Sequence, residues 1–453
     1  MEGFVLGILF GTDGVRGIAN RELTPELAYQ LGRAGSYVLA QEFSHPRILV
    51  GKDTRVSGDM LEAALVAGIC SMGASVLRAG VVPTPAVAYL TRKYQASSGV
   101  VISASHNPME YNGIKFFSST GYKLPDAIED EIEKLVLQGE DTLARPVGND
   151  VGRVYDVEEA ENNYIEYLLS CFEASHDLSN LTIVVDCAHG AAYNIAPEVW
   201  RRLGARVIPI CHHPNGININ DRCGSTYPEV LRRAVLENQA DIGIAHDGDA
   251  DRLIAIDERG DLVDGDMIMV ICALHLQRSR KLQPPKIVAT VMSNIGLDIA
   301  LRRENIEVES CQVGDRYVLE KMQQTGALLG GEQSGHIIFL NHATTGDGLL
   351  SALKLVEVMK TTGLPLSELA REMEKLPQIL VNIELEDKEA VLGHAAVKEA
   401  IREAETRMGE WGKVLVRPSG TEPKVRVMAQ GRDEFVLQEV VDAIKGAILL
   451  AQK

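Results

Sequence analysis

A chain of 453 residues is too long for one ordinary hydrophobic core and predicts three or four domains. Apolar residues make up 45% of it, enough to fill those cores, while aromatics at 5% leave the packing to Ala, Val, Leu and Ile. A formal net charge of −18 argues against a nucleic-acid partner, no apolar run is long enough to span a bilayer, and seven scattered cysteines without a Cys-x-x-Cys pair read as reduced thiols of a cytoplasmic protein.

The first ten residues are apolar but lack a basic leader. They run directly into Phe10-Gly11-Thr12-Asp13-Gly14-Val15-Arg16-Gly17, so the expectation is an edge strand or an alternative start rather than a signal peptide. Thr24-Pro25-Glu26-Leu27 opens a helix, with Thr as N-cap, Pro at the first helical position and an acid in the first turn. Residues 48–51 predict a strand ending at Lys52-Asp53-Thr54-Arg55. Ser57 is expected to cap the next helix, whose apolar face carries Leu61, Leu65 and Ile69 and which Gly73 stops. Residues 81–85 lead into a third helix, and this alternation predicts parallel βαβ units.

Gly99-Val100-Val101-Ile102 reads as a buried strand, followed by Ser103-Ala104-Ser105-His106-Asn107-Pro108 and then Asn112-Gly113-Ile114-Lys115. Asn107-Pro108 breaks the chain, which puts Ser105 just past a strand end, where ligands bind in open α/β sheets. A hydroxyl flanked by His106 and followed by Lys115 is a candidate nucleophile or phosphate carrier; a self-capped turn is the competing reading of Ser-His alone. A linker is expected at 145–149, ending a first domain near residue 150.

The second unit holds strands at 181–186 and 207–210, with a turn at Ala188-His189-Gly190 and a turn-rich segment at 213–218. His189, His212 and His213 have no acidic or Cys partner at ligand spacing and read as loop or packing residues. A strand-like run at 241–245 then leads into Asp247-Gly248-Asp249-Ala250-Asp251-Arg252. Three carboxylates at alternate positions of a turn repel one another and want a cation, and a donor set of oxygen alone suits Mg²⁺. A calcium loop would also use Asp247, Asp249 and Asp251, with Glu258 at its last position; Arg252 then stands where that loop needs Gly, and a strand follows. A solvated acidic turn is the remaining alternative.

A third unit begins near Asp257, with a strand at 286–291 and Ser293-Asn294 capping a helix through Leu301. Gly330-Gly331-Glu332-Gln333-Ser334-Gly335-His336 offers a carboxylate, a hydroxyl and an imidazole between glycines. The last segment differs: residues 379–385 alternate like a half-exposed strand, and helices are expected near 393–407 and 435–450. Between two hairpin-like strands lies Arg417-Pro418-Ser419-Gly420-Thr421-Glu422-Pro423. Ser419, Gly420 and Thr421 would expose backbone N–H groups as an anion nest, and Arg417 and Arg426 can bind phosphate bidentately. Alone, either of these two loops reads as a short polar turn.

The Ser105, Asp247, Glu332 and Arg417 loops together resemble the α-D-phosphohexomutase family, in the family's order and along nearly the whole chain. The Gly11-Thr12-Asp13-Gly14 opening is similar to the glucosamine-phosphate branch of that family, although family members usually begin closer to this motif. The resemblance implies three similar mixed or parallel-sheet α/β domains (1–150, 151–256, 257–370) and a C-terminal α+β domain (371–453) around a central cleft. It implies interconversion of glucosamine 6-phosphate and glucosamine 1-phosphate for cell-wall precursor synthesis. The phosphoryl group would ride on a phosphorylated Ser105, with a hexosamine 1,6-bisphosphate as intermediate and activator.

By the same resemblance, one Mg²⁺ per chain would be held by Asp247, Asp249, Asp251 and the Ser105 phosphate, and Arg252 would steady the phosphoserine. Lys115 and His336 are the candidates for proton transfer, with His106 as the alternative. Glu332 and Ser334 would bond sugar hydroxyls, and Arg417, Ser419, Gly420, Thr421 and Arg426 would hold the phosphate that is not reacting. Arg16, Lys115, Arg252, Arg417 and Arg426 would focus positive potential against the chain's overall negative field. The expected partner is a small phosphosugar; a homodimer is implied by the family, with no interface stripe legible here. Mannose or glucose phosphates are the alternative substrates, and a catalytically silent phosphosugar-binding protein is a third reading, which the survival of Ser105, the aspartates, Lys115 and Arg252 disfavours.

Overall fold

The structure, a computed structural model, describes residues 9–11, 13–138, 143–174, 177–385, 387–418 and 424–452. Thr12 of the opening motif and the expected phosphate ligands Ser419, Gly420 and Thr421 lie outside the described residues.

Four sheets follow one another along the chain. The first has seven strands, in the order Phe10–Gly11, Gly14–Ile18, Tyr111–Ser118, Ser98–Ile102, Arg47–Lys52, Ser75–Val81, Val154–Asp156. Its centre is the run predicted from apolar content, Ser98–Ile102, buried at every residue. Side chains alternate across a strand, so Val100 and Ile102 enter one core with Leu31 and Leu61, while Val101 enters another with Leu49 and Val87. Ser98–Ile102 runs parallel to Arg47–Lys52, with Lys52 opposite Ile102. The turns after both strands therefore leave the sheet at the same edge.

The second sheet runs Leu262–Val263, Ile254–Asp257, Ile242–Ala245, Thr182–Asp186, Arg206–Ile210. Its three central and outer parallel strands are in register at Ala245, Asp186 and Ile210, so the segments beginning at His246, Cys187 and Cys211 emerge side by side. The third sheet runs Glu307–Cys311, Lys286–Thr290, Leu329–Gly331, Ile337–Phe339, and the Glu332–His336 loop joins its last antiparallel pair. The fourth is a three-stranded antiparallel sheet of Gln378–Glu384, Lys424–Gln430 and Lys413–Pro418, backed by helices Ala395–Met408 and Glu434–Ala451.

Two expected boundaries shift. Val154–Asp156 pairs with Ser75–Val81, so the first sheet continues past residue 150; this edge strand is exposed throughout and carries no apolar signal. Ile254–Asp257 and Leu262–Val263 close the second sheet past residue 256. Ser57 is not a cap either. It is the first residue of its helix, and its hydroxyl accepts from Asn112 Nδ2 at 2.9 Å. Thr24 and Asn294 do cap their helices, accepting from the N–H of Leu27 and of Gly296.

One continuous core links the first three units, from Leu49 and Val101 through Ile183 and Ile244 to Ile287 and Leu329. The fourth has its own, around Val425, Val427, Leu437 and Ile444. It meets the third through polar contacts, among them Gln430 Oε1 accepting from Ile295 N–H at 2.7 Å and Lys413 Nζ donating to Ser293 O at 3.1 Å. Among the described residues no helix is long and apolar enough to cross a membrane.

Candidate active site

Ser105 has φ of 51°, the left-handed region, which a residue with a Cβ keeps only when its surroundings hold it there. The turn after Arg47–Lys52 does the holding. Asp53 Oδ2 accepts from Ser103 Oγ at 2.6 Å, and Ser103 Oγ accepts from Ser105 N–H at 3.0 Å. Arg55, paired with Asp53 at 2.9 Å, donates to the carbonyls of Ser105 (2.8 Å) and Asn107 (2.9 Å). Neither side chain of that pair is exposed. Asn220 of the second unit donates to the same two carbonyls at 2.9 and 3.1 Å. The backbone is thus fixed from two units while the hydroxyl is left for chemistry.

The aspartate loop approaches backbone to backbone. A Cβ on Gly248 would lie 2.6 Å from the Ser105 carbonyl oxygen, so no other residue fits there. Ser105 Oγ donates to Asp247 Oδ2 at 2.5 Å. Carboxylate oxygens of Asp247, Asp249 and Asp251 lie within 4.8 Å of one another, and all three residues are buried. Burial, then the neighbouring Asp251 and Asp249, push Asp247 well above the usual carboxylate range. Burial would raise Asp249 too, but the Lys115 ammonium at 3.0 Å and the Thr84 hydroxyl at 2.7 Å hold it below that range. Asp249 Oδ1 and Asp251 Oδ1 are buried with no hydrogen-bond partner. Two orphaned oxygens beside a crowded third carboxylate are satisfied by a hard cation, and this all-oxygen set fits Mg²⁺.

The opening motif supplies Asp13, which pairs with Arg16 and Lys123 and, at 3.0 Å, with Lys115. Burial opposes the charge on Lys115, yet Asp13 and Asp249 outweigh it and keep the ammonium protonated far above its ordinary range. Lys115 is thus a positive charge held between Asp13 and Asp249, each at 3.0 Å. His106 is the opposite. Burial, then Arg252 and Arg16, push it down to about 4, so its ring is neutral near pH 7, with Nδ1 3.3 Å from Ser105 Oγ. For His336, burial disfavours the charge, but Asp251 at 3.4 Å and Asp315 at 3.9 Å raise it to about 9. The Gly346 N–H points at its Nε2 from 3.1 Å, so the first proton sits on Nδ1, facing Asp251, and a second would displace that backbone donor.

A cleft of about 490 Å³ brings together Ser105, Arg16, Asp251, Arg252, Glu332 and His336. Asp247, Asp249, Lys115 and His106 stand directly behind that wall through the contacts above. Glu332 Oε1 accepts from Gly314 N–H at 3.0 Å, and Ser334 is exposed beside it, outside the cleft lining. Arg417 and Arg426 face each other across the fourth sheet, where burial and the neighbouring Arg426 lower the Arg417 guanidinium; neither belongs to the cleft wall. Sequence reasoning missed Asp53, Arg55, Thr84, Asp13 and Asn220 as site residues. Asp53 and Arg55 stood in the right place, at the end of a predicted strand, but only the parallel register to Ser98–Ile102 puts them under the serine.

Loops of three α/β units closing on one acid-flanked serine, with an α+β domain attached, place the chain among phosphosugar mutases. Comparison with known proteins narrows the class. Family models described as phosphoglucomutase/phosphomannomutase match in order: alpha/beta/alpha domain I over residues 7–142, domain II over 162–260, domain III over 264–376, and the C-terminal domain over 380–447. The chain belongs to this phosphoglucomutase/phosphomannomutase family. It is 67% identical to the phosphoglucosamine mutase of Syntrophomonas wolfei, across 99% of this chain and 100% of that one. It is 57% identical to the phosphoglucosamine mutase of Pelotomaculum thermopropionicum, across 98% and 99%. Among solved structures it shares its fold with a phosphoglucomutase/phosphomannomutase family protein of Burkholderia thailandensis (TM-score 0.81, 24% identity, 97% of each chain). The N-acetylphosphoglucosamine mutase of Aspergillus fumigatus, solved with GlcNAc-6P and magnesium, has the same fold (TM-score 0.71, 18% identity, 98% and 96% of the two chains).

Proposed function

We propose that this chain interconverts glucosamine 6-phosphate and glucosamine 1-phosphate through a phosphorylated Ser105 and a hexosamine 1,6-bisphosphate, in the supply of cell-wall precursors. The observation that carries the chemistry is the Ser105 hydroxyl bonded to Asp247 inside a buried acidic trio with two orphaned oxygens. The amino-sugar substrate rests on the whole-length identity to phosphoglucosamine mutases.

In the first transfer the phosphoryl group leaves Ser105 Oγ as its bond to the free sugar hydroxyl oxygen forms; that hydroxyl gives its proton to the proton-transfer group of the cleft, and Ser105 Oγ takes up one proton to become a hydroxyl again. The bisphosphate then turns over in the cleft, and its other phosphate returns to Ser105 Oγ. Such a transfer needs charge neutralisation and alignment more than covalent assistance. Lys115, with His336 a candidate for proton transfer, supplies positive charge behind the aspartates, and Arg16 and Arg252 line the cleft in front of them. His106 is the neutral base beside the serine oxygen, and His336 holds a proton next to Asp251. Asp247, Asp249 and Asp251, with the Ser105 phosphate, would hold one Mg²⁺, which when bound neutralises part of the phosphoryl charge and polarises it. Glu332, which lines the cleft, and Ser334 beside it would take sugar hydroxyls. Arg417 and Arg426, with Ser419, Gly420 and Thr421, would take the phosphate that is not reacting once the fourth domain closes and excludes water.

The test is a panel of initial rates on the 6-phosphates of glucosamine, glucose and mannose. The highest kcat/KM is expected for glucosamine 6-phosphate. Faster turnover of the mannose or glucose compound would reassign the chain to the phosphomannomutase or phosphoglucomutase activity, and inertness toward all three would leave a phosphosugar-binding role.

A further inference from the structure

The parallel strands Thr182–Asp186 and Arg206–Ile210 end level with each other, at Asp186 and Ile210. Just beyond them His189 N–H donates to Cys211 O at 2.6 Å. The loop that follows returns Cys223 to the same place. Ligand atoms of His189, Cys211 and Cys223 all lie within 4.8 Å of one another. Spacing along the chain gave no hint of this, because the cysteines lie far from the histidine in sequence and only the sheet register unites them.

Three features distinguish this cluster from ordinary packing. His189 Nδ1 is buried with no hydrogen-bond partner. Cys211 and Cys223 are unpaired thiols set side by side, the first half-buried and the second buried. The backbone is strained: Ala188, His189, Cys211, Asn220 and Arg222 all have φ between 48° and 57°. Left-handed non-glycine residues persist where the surroundings over-determine them, and they concentrate at functional sites. Zinc-ligand bonds of about 2.0 Å to nitrogen and about 2.3 Å to sulfur set tetrahedral ligand atoms roughly 3.5 Å apart, so closing the cluster takes about an ångström of side-chain adjustment.

We propose that His189 Nδ1, Cys211 Sγ and Cys223 Sγ form a binding site for one thiophilic divalent cation, separate from the aspartate trio and with its fourth position open. Binding displaces the two thiol protons and replaces two S–H groups with metal–thiolate bonds; no electrons are exchanged. Imidazole and thiolate select Zn²⁺ over Mg²⁺, the reverse of the aspartates' preference. The site fastens both ends of the segment 211–223. That segment carries Asn220, which grips the carbonyls of Ser105 and Asn107, and whose own N–H donates to Ala188 O at 2.9 Å. On the other side His189 O accepts from the Thr54 hydroxyl at 2.6 Å, next to the Asp53–Arg55 pair. The cation would therefore stiffen the bed of the serine turn without touching substrate.

Cobalt(II) added to the reduced, chelator-treated full-length chain in excess Mg²⁺ tests this. Expected is a thiolate-to-cobalt charge-transfer band that saturates at one equivalent. Asp247→Asn keeps it, while Cys211→Ser and Cys223→Ser lose it or bind at least about tenfold more weakly. Because the cysteine variants risk misfolding, thiol alkylation of the wild-type chain gives a second readout, in which Zn²⁺ protects Cys211 and Cys223 among the seven cysteines. No band in the wild type, a band abolished by Mg²⁺, a band unchanged in both serine variants, or equal alkylation with and without Zn²⁺ would overturn the proposal. None of these readouts depends on mutase activity, so the two proposals fail separately.

Discussion

Ser105 is held by bonds to its backbone, so the residues that matter beside it are those that touch its N–H and carbonyl. Arg55 is the chief of these, since it reaches Ser105, Asn107 and Pro108 while paired to Asp53. Burial raises Asp53 despite that partner, which means the pair sits in a medium costly to charge. Removing one member of a buried pair strands the other, at about 3–5 kcal/mol. Arg55→Met is accordingly expected to lower the unfolding free energy measured by urea titration by that amount, while a surface substitution such as Arg402→Met leaves it within about 0.5 kcal/mol; an unchanged unfolding free energy in Arg55→Met would mean the pair does not support the turn. Arg402 makes a suitable control because it is exposed and, among the described residues, pairs along its own helix with Glu399. At this scale the sequence was informative where chemistry forces a local pattern, as in the alternating Asp247, Asp249 and Asp251. Asp53, Arg55 and Thr84 were hidden because nothing local distinguishes a carboxylate that will meet a distant serine from one that caps its own turn.

Strand ends decide where the loops meet. Ser98–Ile102 and Arg47–Lys52 deliver the serine turn and its support, and Ile242–Ala245 delivers the aspartates. The fit between the two loops is tightest at Gly248, where a methyl group would press on the Ser105 carbonyl oxygen. Gly248→Ala is expected to keep the fold, because both loops lie outside the strands, but to part the serine from the trio. A 1 Å misplacement costs about a hundredfold in rate, so kcat should fall by about that factor with little change in thermal midpoint. Full activity in this variant would show that the loops need not touch. Elements with strong periodicity were legible in advance: Gln378–Glu384 alternates in burial as its sequence alternates, and Asn294 caps its helix. Val154–Asp156 was not, because an exposed three-residue edge strand is fixed by pairing alone. The His189, Cys211 and Cys223 cluster was likewise invisible before the register of two parallel strands was known.

Over the whole molecule, a net charge of −18 is reconciled with an anionic substrate by gathering Arg16 and Arg252 in one cleft, with Lys115 behind it. The shared core of the first three units and the separate core of the fourth fit a body that stays rigid while one domain moves. Buried carboxyls also set a pH dependence. Burial raises Asp186 and Asp347 to about 6 and Asp266 to about 7. Their unfolded values lie near 3.9, so between about pH 4 and pH 7 the native state binds more protons than the unfolded one. The contribution of these carboxyls to stability then falls as pH rises through that window, against the opposite contribution of His106, which burial lowers to about 4. Calorimetry of Asp266→Asn should show the midpoint at pH 7 falling less, relative to pH 5, than in the wild type; an identical pH dependence in the two would show that Asp266 is not buried as described. The central claim, that Ser105 carries the phosphoryl group during turnover, is tested most directly by rapid-quench mass spectrometry of the chain loaded with hexosamine 1,6-bisphosphate. One phosphoryl group should map to Ser105, be absent from Ser105→Ala, and leave on addition of glucosamine 6-phosphate at least as fast as kcat. A phosphoryl group on another residue, or one on Ser105 that leaves more slowly than the enzyme turns over, would contradict it.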